Sequence, residues 1–82
     1  MKEIVIDATF TTSDLYLSAF LKAKGMKLID QVRDDNKKTH FVFEDRKDRK
    51  KLIQEYFNNG SVNITDFKNC LQDLKTIVFN IQ

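Results

Sequence analysis

The first regular pattern along the chain is an alternation of apolar and polar residues over residues 2–10. On an extended backbone every second side chain lies on the same side, so this period of two is typical of a β-strand. The apolar members of the alternation are Ile4, Ile6, Ala8 and Phe10. The pattern therefore predicts a strand with one face towards a hydrophobic core.

Residues 12–25 are apolar at most positions and end at a glycine. On a helix of about 3.6 residues per turn these apolar side chains cover most of the circumference, which is typical of a helix buried on most sides. Thr12 or Ser13 is the predicted N-terminal cap, and the glycine provides the left-handed residue that ends the helix. The predicted polar stripe consists of Asp14, Ser18 and Lys22.

Residues 26–33 and 38–44 are rich in β-forming residues and flank a polar turn, so they predict a hairpin. Asn36 is the residue expected to take a positive φ in that turn. The side chains expected to face the core are Met26, Leu28, Val32, Phe41 and Phe43. Ile29 and Val42 would lie on the opposite face, so a second sheet face is left where a partner could bind.

Two further helices are predicted. Asp45 is expected to begin the first of them, with an apolar stripe formed by Leu52, Ile53, Tyr56 and Phe57. Residues 61–64 are expected to be a short extended connector, and Thr65 is the predicted cap of the last helix. The last helix has apolar side chains at spacings of three and four residues. They are Phe67, Cys70, Leu71, Leu74, Ile77, Val78 and Ile81.

The predicted order of elements is β-α-β-β-α-(β)-α. An order that combines a hairpin with separate helices is typical of an α+β fold, here a small, largely antiparallel sheet packed with three helices. Eighty-two residues are enough for one modest hydrophobic core. We therefore expect residues 1–82 to form a single compact domain.

Composition narrows the class of protein. A chain with 41% apolar residues and seven phenylalanines is expected to be globular rather than disordered. Its single cysteine cannot form an internal disulfide, so we expect a cytoplasmic protein. One cysteine and one histidine cannot build a zinc site, and we expect neither a metal nor a cofactor. No apolar run approaches the roughly 20 residues that span a membrane. The net charge of +2 argues neither for nor against nucleic acid.

Four sequence blocks carry a resemblance. They read F-T-T-S-D-L-Y-L-S-A-F-L-K-A-K-G at 10–25, F-V-F-E-D at 41–45, E-Y-F-N-N-G at 55–60 and F-K-N-C-L-Q-D-L-K at 67–75. In these blocks the chain resembles an uncharacterised family of small bacterial and phage-borne domains. It departs from the family at Ser18, where the family has a small apolar residue. The resemblance implies a small stand-alone cytoplasmic module from a mobile element, and it assigns no catalytic residue.

Asp14 and Tyr16 are polar residues in the most apolar of the predicted helices. In one interpretation Asp14 caps backbone N–H groups and Tyr16 packs with its hydroxyl at the rim of the core. In the other, both side chains form a small polar pocket for a ligand together with Thr11 or Thr12. The sequence alone leaves both interpretations open.

His40 and Cys70 are the remaining candidates for chemistry. His40 lies in the middle of a predicted strand without a second ligand at metal-binding spacing, so we expect a surface or half-buried residue. Cys70 lies on the apolar stripe of the last helix and is expected to be an inert thiol in the core. No nucleophile, base and orienting group can be assembled from these residues, so we expect no enzymatic activity.

Five of the fourteen basic residues lie close together after the hairpin. They are Arg46, Lys47, Arg49, Lys50 and Lys51. A basic helix start of this kind is suited to nucleic acid phosphates, and it is equally the composition of a solvated helix face or a docking site for an acidic protein. Asp45 and Asp48 dilute the positive charge, and the helix dipole opposes cations at an N-terminus.

The function we expect is a non-enzymatic protein–protein interaction module that acts as a homodimer or on a larger partner. Apolar residues on both sheet faces and strand edges at 2–10 and 26–33 support this expectation, because exposed edges can pair with another strand. The main alternative is a nucleic-acid-binding accessory or regulatory protein that uses residues 46–51. A third hypothesis is a small-ligand pocket near Tyr16.

Overall fold

A computed structural model describes residues 8–80. Its elements are β1 (Thr9–Thr12), α1 (Leu15–Ala23), β2 (Leu28–Arg33), β3 (Thr39–Glu44), α2 (Arg49–Phe57) and α3 (Ile64–Asn80). Three helices and a three-stranded antiparallel sheet confirm the predicted α+β fold. Residues 2–7 of the predicted first strand lie outside the described residues, and β1 continues beyond Phe10 to Thr12.

The strands are arranged in the order β1-β3-β2, with β3 in the centre. Its Phe43 opposes Phe10 of β1 on one side and Leu28 of β2 on the other. Phe41 and Phe43 are buried, as the alternation of β3 predicts. The other buried apolar residues of the core are Leu17, Ala19, Phe20, Leu21, Met26, Leu52 and Leu74.

A bulge changes which side chains of β2 face the core. The pairing register shifts by one residue between Leu28 and Asp30, where Ile29 is the extra residue. Because side chains alternate along a strand, one extra residue moves the following side chains to the opposite faces. Val32 therefore opposes His40 and is 49% exposed. The prediction that Val32 faces the core is wrong.

The N-terminal cap of α1 is Asp14, not Thr12 or Ser13. The Asp14 carboxylate accepts a hydrogen bond from the backbone N–H of Leu17 at 3.0 Å, which is the usual bond of a capping side chain. The Thr12 hydroxyl accepts from the N–H of Asp14 itself at 3.1 Å. At the other end Gly25 has a φ of +101°, so the predicted glycine stop is confirmed.

Ser18 is fully buried, so the predicted polar stripe of α1 is wrong at this position. Its hydroxyl donates to the backbone carbonyl of Asp14 at 2.8 Å, one helical turn earlier. A hydroxyl that is bonded within its own helix can be buried at small cost. The face of α1 around Ser18 therefore belongs to the core, and α1 packs chiefly against α3 and less extensively against α2.

The turn between β2 and β3 places its positive φ on Lys37 (64°) and not on Asn36. The Asp34 carboxylate accepts hydrogen bonds from the backbone N–H groups of Asn36 at 2.8 Å and Lys38 at 3.0 Å. These two bonds fix the start of the turn, and the left-handed residue follows one position later than predicted.

The helix predicted to begin at Asp45 begins four residues later, at Arg49. The carboxylate of Asp45 accepts from the backbone N–H of Arg46 at 2.8 Å and from the Arg49 side chain, so residues 45–48 form a turn instead of the first helical turn. Asp48 makes no capping hydrogen bond because its carboxylate is bound by the Arg46 guanidinium.

A connector lies between α2 and α3 as predicted, but residues 61–63 form no strand, and residue 64 is not part of the connector because α3 already begins at Ile64. Asn63, not Thr65, provides the cap. Its side-chain oxygen accepts from the N–H of Asp66 at 3.0 Å. Leu74 is fully buried at the centre of the predicted stripe of α3, whose last member, Ile81, lies outside the described residues.

Candidate functional site

The outer edge of the sheet at β2 is the first candidate surface. β2 pairs only with β3 within the described chain, so its other edge presents backbone N–H and C=O groups without a strand partner. Its side chains Ile29 and Val32 are 48% and 49% exposed. Val32 shares the face with His40 that points away from the buried Phe41 and Phe43. We call residues Leu28–Arg33, with this free edge, the β2 edge surface.

Asp14 and Tyr16 lie at the start of α1, beside α2. The Asp14 carboxylate caps the helix, as one of the two interpretations predicts, and Tyr16 is 53% exposed. Burial is the main reason why the pKa of Tyr56 lies above its usual 10.0. The nearby Asp14 carboxylate and Tyr16 raise this pKa further. Tyr56 also contacts Phe57 edge to face at 5.0 Å. This arrangement is an open aromatic surface between two helices.

His40 and Cys70 have ordinary surroundings. His40 Nε2 lies 2.8 Å from the Asp34 carboxylate, and this hydrogen bond, then that from the Lys38 N–H, lowers the pKa of Asp34 below its usual 3.8. Burial raises the pKa of the Cys70 thiol, so the thiol stays protonated at neutral pH. Over residues 8–80 no group of three His, Cys, Asp or Glu side chains is placed to hold a metal ion.

Arg46 is the first of the five basic residues, and its side chain makes hydrogen bonds within the chain. Its guanidinium donates two hydrogen bonds to the Asp48 carboxylate at 2.9 and 2.8 Å. It also donates to the backbone carbonyl of Lys24 at 3.3 Å, at the C-terminal end of α1. Arg46 therefore connects this turn to α1 and is not free to bind a phosphate.

The side chain of Arg49 also makes contacts within the chain. Its guanidinium donates to the Asp45 carboxylate at 3.1 and 3.3 Å and lies 4.6 Å from the centre of the Phe10 ring. The hydrogen bond from Arg49 is the main reason why the pKa of Asp45 lies below its usual 3.8. The pairing of an aspartate with an arginine four residues later could have been found in the sequence.

Three members of the basic segment remain available. Lys47, Lys50 and Lys51 are exposed and make no ion pair with any residue in 8–80. The structure therefore separates the five predicted residues into two arginines that hold the fold and three lysines at the surface. Three surface lysines give a smaller positive patch than the five basic residues of the sequence predict.

A cavity that the sequence does not predict lies on the inner side of the hairpin. Its volume is about 200 Å³. It is lined by Ser13, Leu15, Lys37, Lys38, Thr39, Phe41 and Val78. Because these residues come from three separate segments of the chain, no local motif could have identified them. The nearest sequence signal is the pair of adjacent lysines next to a threonine that begins a strand.

Comparison with known proteins identifies a family whose function is unknown. A family model described as a domain of unknown function (DUF5659) matches residues 7–80. No curated protein and no solved structure matches the chain. Among the described helices none is both long and apolar enough to cross a bilayer. The expected resemblance to an uncharacterised family is thereby confirmed, and its bacterial or phage origin stays a prediction.

Proposed function

We propose that this chain, which belongs to the DUF5659 family of domains of unknown function, is a non-enzymatic interaction module that pairs with a second copy of itself through β2. One observation carries the proposal, namely a free edge strand of six residues that exposes Ile29 and Val32 by about half. An exposed edge is a template for another strand. We further propose a cytoplasmic location, which suits a chain with one unpaired cysteine.

A domain of this size can gain stability from association. A chain of 82 residues buries only about 60% of its unfolded surface, so additional burial at an interface adds a substantial fraction of its stability. All three helices contribute to the core on the inner side of the sheet, where Leu21, Leu52 and Leu74 are buried. The outer side of β2 carries half-exposed apolar side chains instead, and a second copy would cover them.

The charges of β2 favour one register. In an antiparallel pair with a two-fold axis through Gln31, Asp30 would lie opposite Val32 of the second copy, and no like charges would face each other. An axis through Asp30 would set two carboxylates against each other, which is unfavourable. The bulge at Ile29 disturbs the start of the strand, so pairing would use the regular part from Asp30 to Arg33.

Substitution of Val32 by glutamate tests the proposal. We expect the wild-type protein to sediment as a dimer at high concentration, and Val32→Glu to weaken the association at least about tenfold, because the new carboxylate would lie opposite Asp30 of the second copy. The fold should be retained because Val32 is half exposed. Sedimentation equilibrium measures both proteins, and circular dichroism checks their folding.

Ile64→Glu is the matched control for this experiment. Ile64 is an apolar side chain that is 80% exposed at the start of α3, far along the chain from β2. The control should dimerise like the wild type. A wild-type chain that is strictly monomeric at about 1 mM, or an equal loss of association in both variants, would contradict pairing through β2.

The exposed lysines support a second candidate, binding to nucleic acid. Three phosphate contacts made by Lys47, Lys50 and Lys51 would make the affinity for a DNA duplex fall steeply with salt. Replacing all three with glutamate should abolish that binding, whereas dimerisation should be unchanged. Fluorescence anisotropy at several salt concentrations measures the affinity. Binding that does not weaken between low and moderate salt would exclude phosphate contacts as its basis.

A further inference from the structure

Thr39, at the start of β3, lines the 200 Å³ cavity and has an unusual hydroxyl group. The residue is only 8% exposed, and its Oγ1 atom is buried without a hydrogen-bond partner in residues 8–80. Nearly all buried hydroxyls in proteins have a partner, because a hydroxyl removed from water without one is unfavourable. If a change of the χ1 rotamer turns Oγ1 towards the cavity, a molecule bound there can supply the hydrogen-bond partner that the hydroxyl lacks in residues 8–80.

The charge around the cavity is positive. Lys37 and Lys38 line it. None of the described residues that line it is acidic. The neighbouring Asp34 carboxylate is not part of the lining, and it contacts the backbone N–H groups of the turn and His40 Nε2. A guest with a negative charge is therefore favoured over a neutral or cationic one.

The remaining lining is mainly apolar. Leu15, Phe41 and Val78 supply hydrocarbon surface from α1, β3 and the last turn of α3. A volume of about 200 Å³ is below the roughly 300–1,000 Å³ of sites that hold drug-sized molecules. The site therefore suits a guest that combines one anionic group with a compact apolar body.

We propose that this cavity binds a small monocarboxylate with an aromatic or branched aliphatic body. The carboxylate would lie between the ammonium groups of Lys37 and Lys38 and accept a hydrogen bond from the Thr39 hydroxyl, and the apolar body would contact Phe41 and Val78. This site lies on the inner side of the sheet. It is independent of pairing through the β2 edge surface.

Titration of the ¹⁵N-labelled protein with benzoate, phenylacetate and isovalerate tests the proposal by NMR. We expect saturable shifts of the backbone amides of Thr39, Phe41 and Val78 with at least one of these acids. Benzamide, which has the shape of benzoate without its charge, should bind at least about tenfold more weakly. Shifts that never saturate, shifts that spread over the whole surface, or equal binding of benzamide would overturn the proposal.

Variants of the lining residues sharpen this test. Thr39→Val keeps the shape and removes the hydroxyl, so it should raise the melting temperature of the free protein and weaken binding of the acid about fivefold. The double variant Lys37→Gln with Lys38→Gln should also weaken binding, whereas Lys50→Gln on α2 should not. A lower melting temperature for Thr39→Val, or equal effects of the lysine variants, would contradict the assignment.

Discussion

Replacing Phe43 with alanine is expected to lower the free energy of unfolding by about 3–5 kcal/mol. Phe43 is fully buried in the central strand, where it opposes Phe10 of β1 and Leu28 of β2. The loss combines the hydrophobic transfer energy of the ring with the cavity left behind. At about 0.05–0.15 kcal/mol per residue, a chain of 82 residues has a free energy of unfolding of about 4–12 kcal/mol, so this loss is a large fraction of it. Urea denaturation followed by circular dichroism measures the change.

Phe57→Ala is the matched control for this prediction. It makes the same chemical change at the end of α2, where the ring is 68% exposed and contacts Tyr56 at its edge. We expect a loss of less than about 1 kcal/mol there, since most of the ring already contacts water. Comparable losses for the two variants would contradict a core centred on β3.

Replacing Ser18 with lysine is expected to lower the free energy of unfolding by more than about 4 kcal/mol and to leave the chain largely unfolded. Ser18 is fully buried on the face of α1 that contacts the core. A lysine at this position must either bury an unpaired ammonium group or push α1 away from its neighbours. Thermal unfolding and the dispersion of the amide NMR spectrum both report the effect.

Two further variants isolate the reason for that loss. Ser61→Lys introduces the same side chain at an exposed serine, and we expect a change within about 0.5 kcal/mol. Ser18→Ala should be nearly neutral, because the Asp14 carbonyl still accepts the N–H of residue 18, at 2.9 Å in the structure. If Ser18→Lys melted like the wild type, Ser18 would lie at the surface and the described packing of α1 would be wrong.

Periodicity predicts most of the architecture. The alternation that places Phe41 and Phe43 on one face, the apolar residues of α1 and the stripe around Leu74 are repeated patterns, and burial of a whole face leaves little choice of orientation. The α+β fold with a hairpin and three helices follows from these patterns. Gly25 predicts the end of α1 because its φ of +101° is a conformation that other residues rarely adopt.

The sequence-based predictions that are wrong concern side-chain orientation in β2 and the helix caps, which depend on single local contacts. The bulge at Ile29 moves Val32 from the core to the surface, and no period-two pattern indicates where one residue will be left unpaired. Each helix cap depends on which of several neighbouring side-chain oxygens can accept from a backbone N–H of the first helical turn. The cap of α1 is Asp14, which accepts from Leu17, and the cap of α3 is Asn63, which accepts from Asp66.

The candidate surfaces were only partly predictable. Five basic residues in six positions suggest one patch, but Asp45 and Asp48 bind Arg49 and Arg46, because each carboxylate lies within reach of a guanidinium in the turn. The cavity beside Thr39 depends on the approach of residues far apart in the chain, so only the folded structure brings them together.

Hydrogen exchange of the β2 backbone amides at low and high protein concentration tests the central claim, pairing through β2, most directly. In the proposed dimer, the amides of Asp30–Arg33 that point away from β3 become hydrogen bonded to the second copy. We predict that their exchange slows as concentration rises, whereas exchange in the central part of α3 stays constant. Equal exchange rates of these β2 amides at all concentrations would contradict the claim.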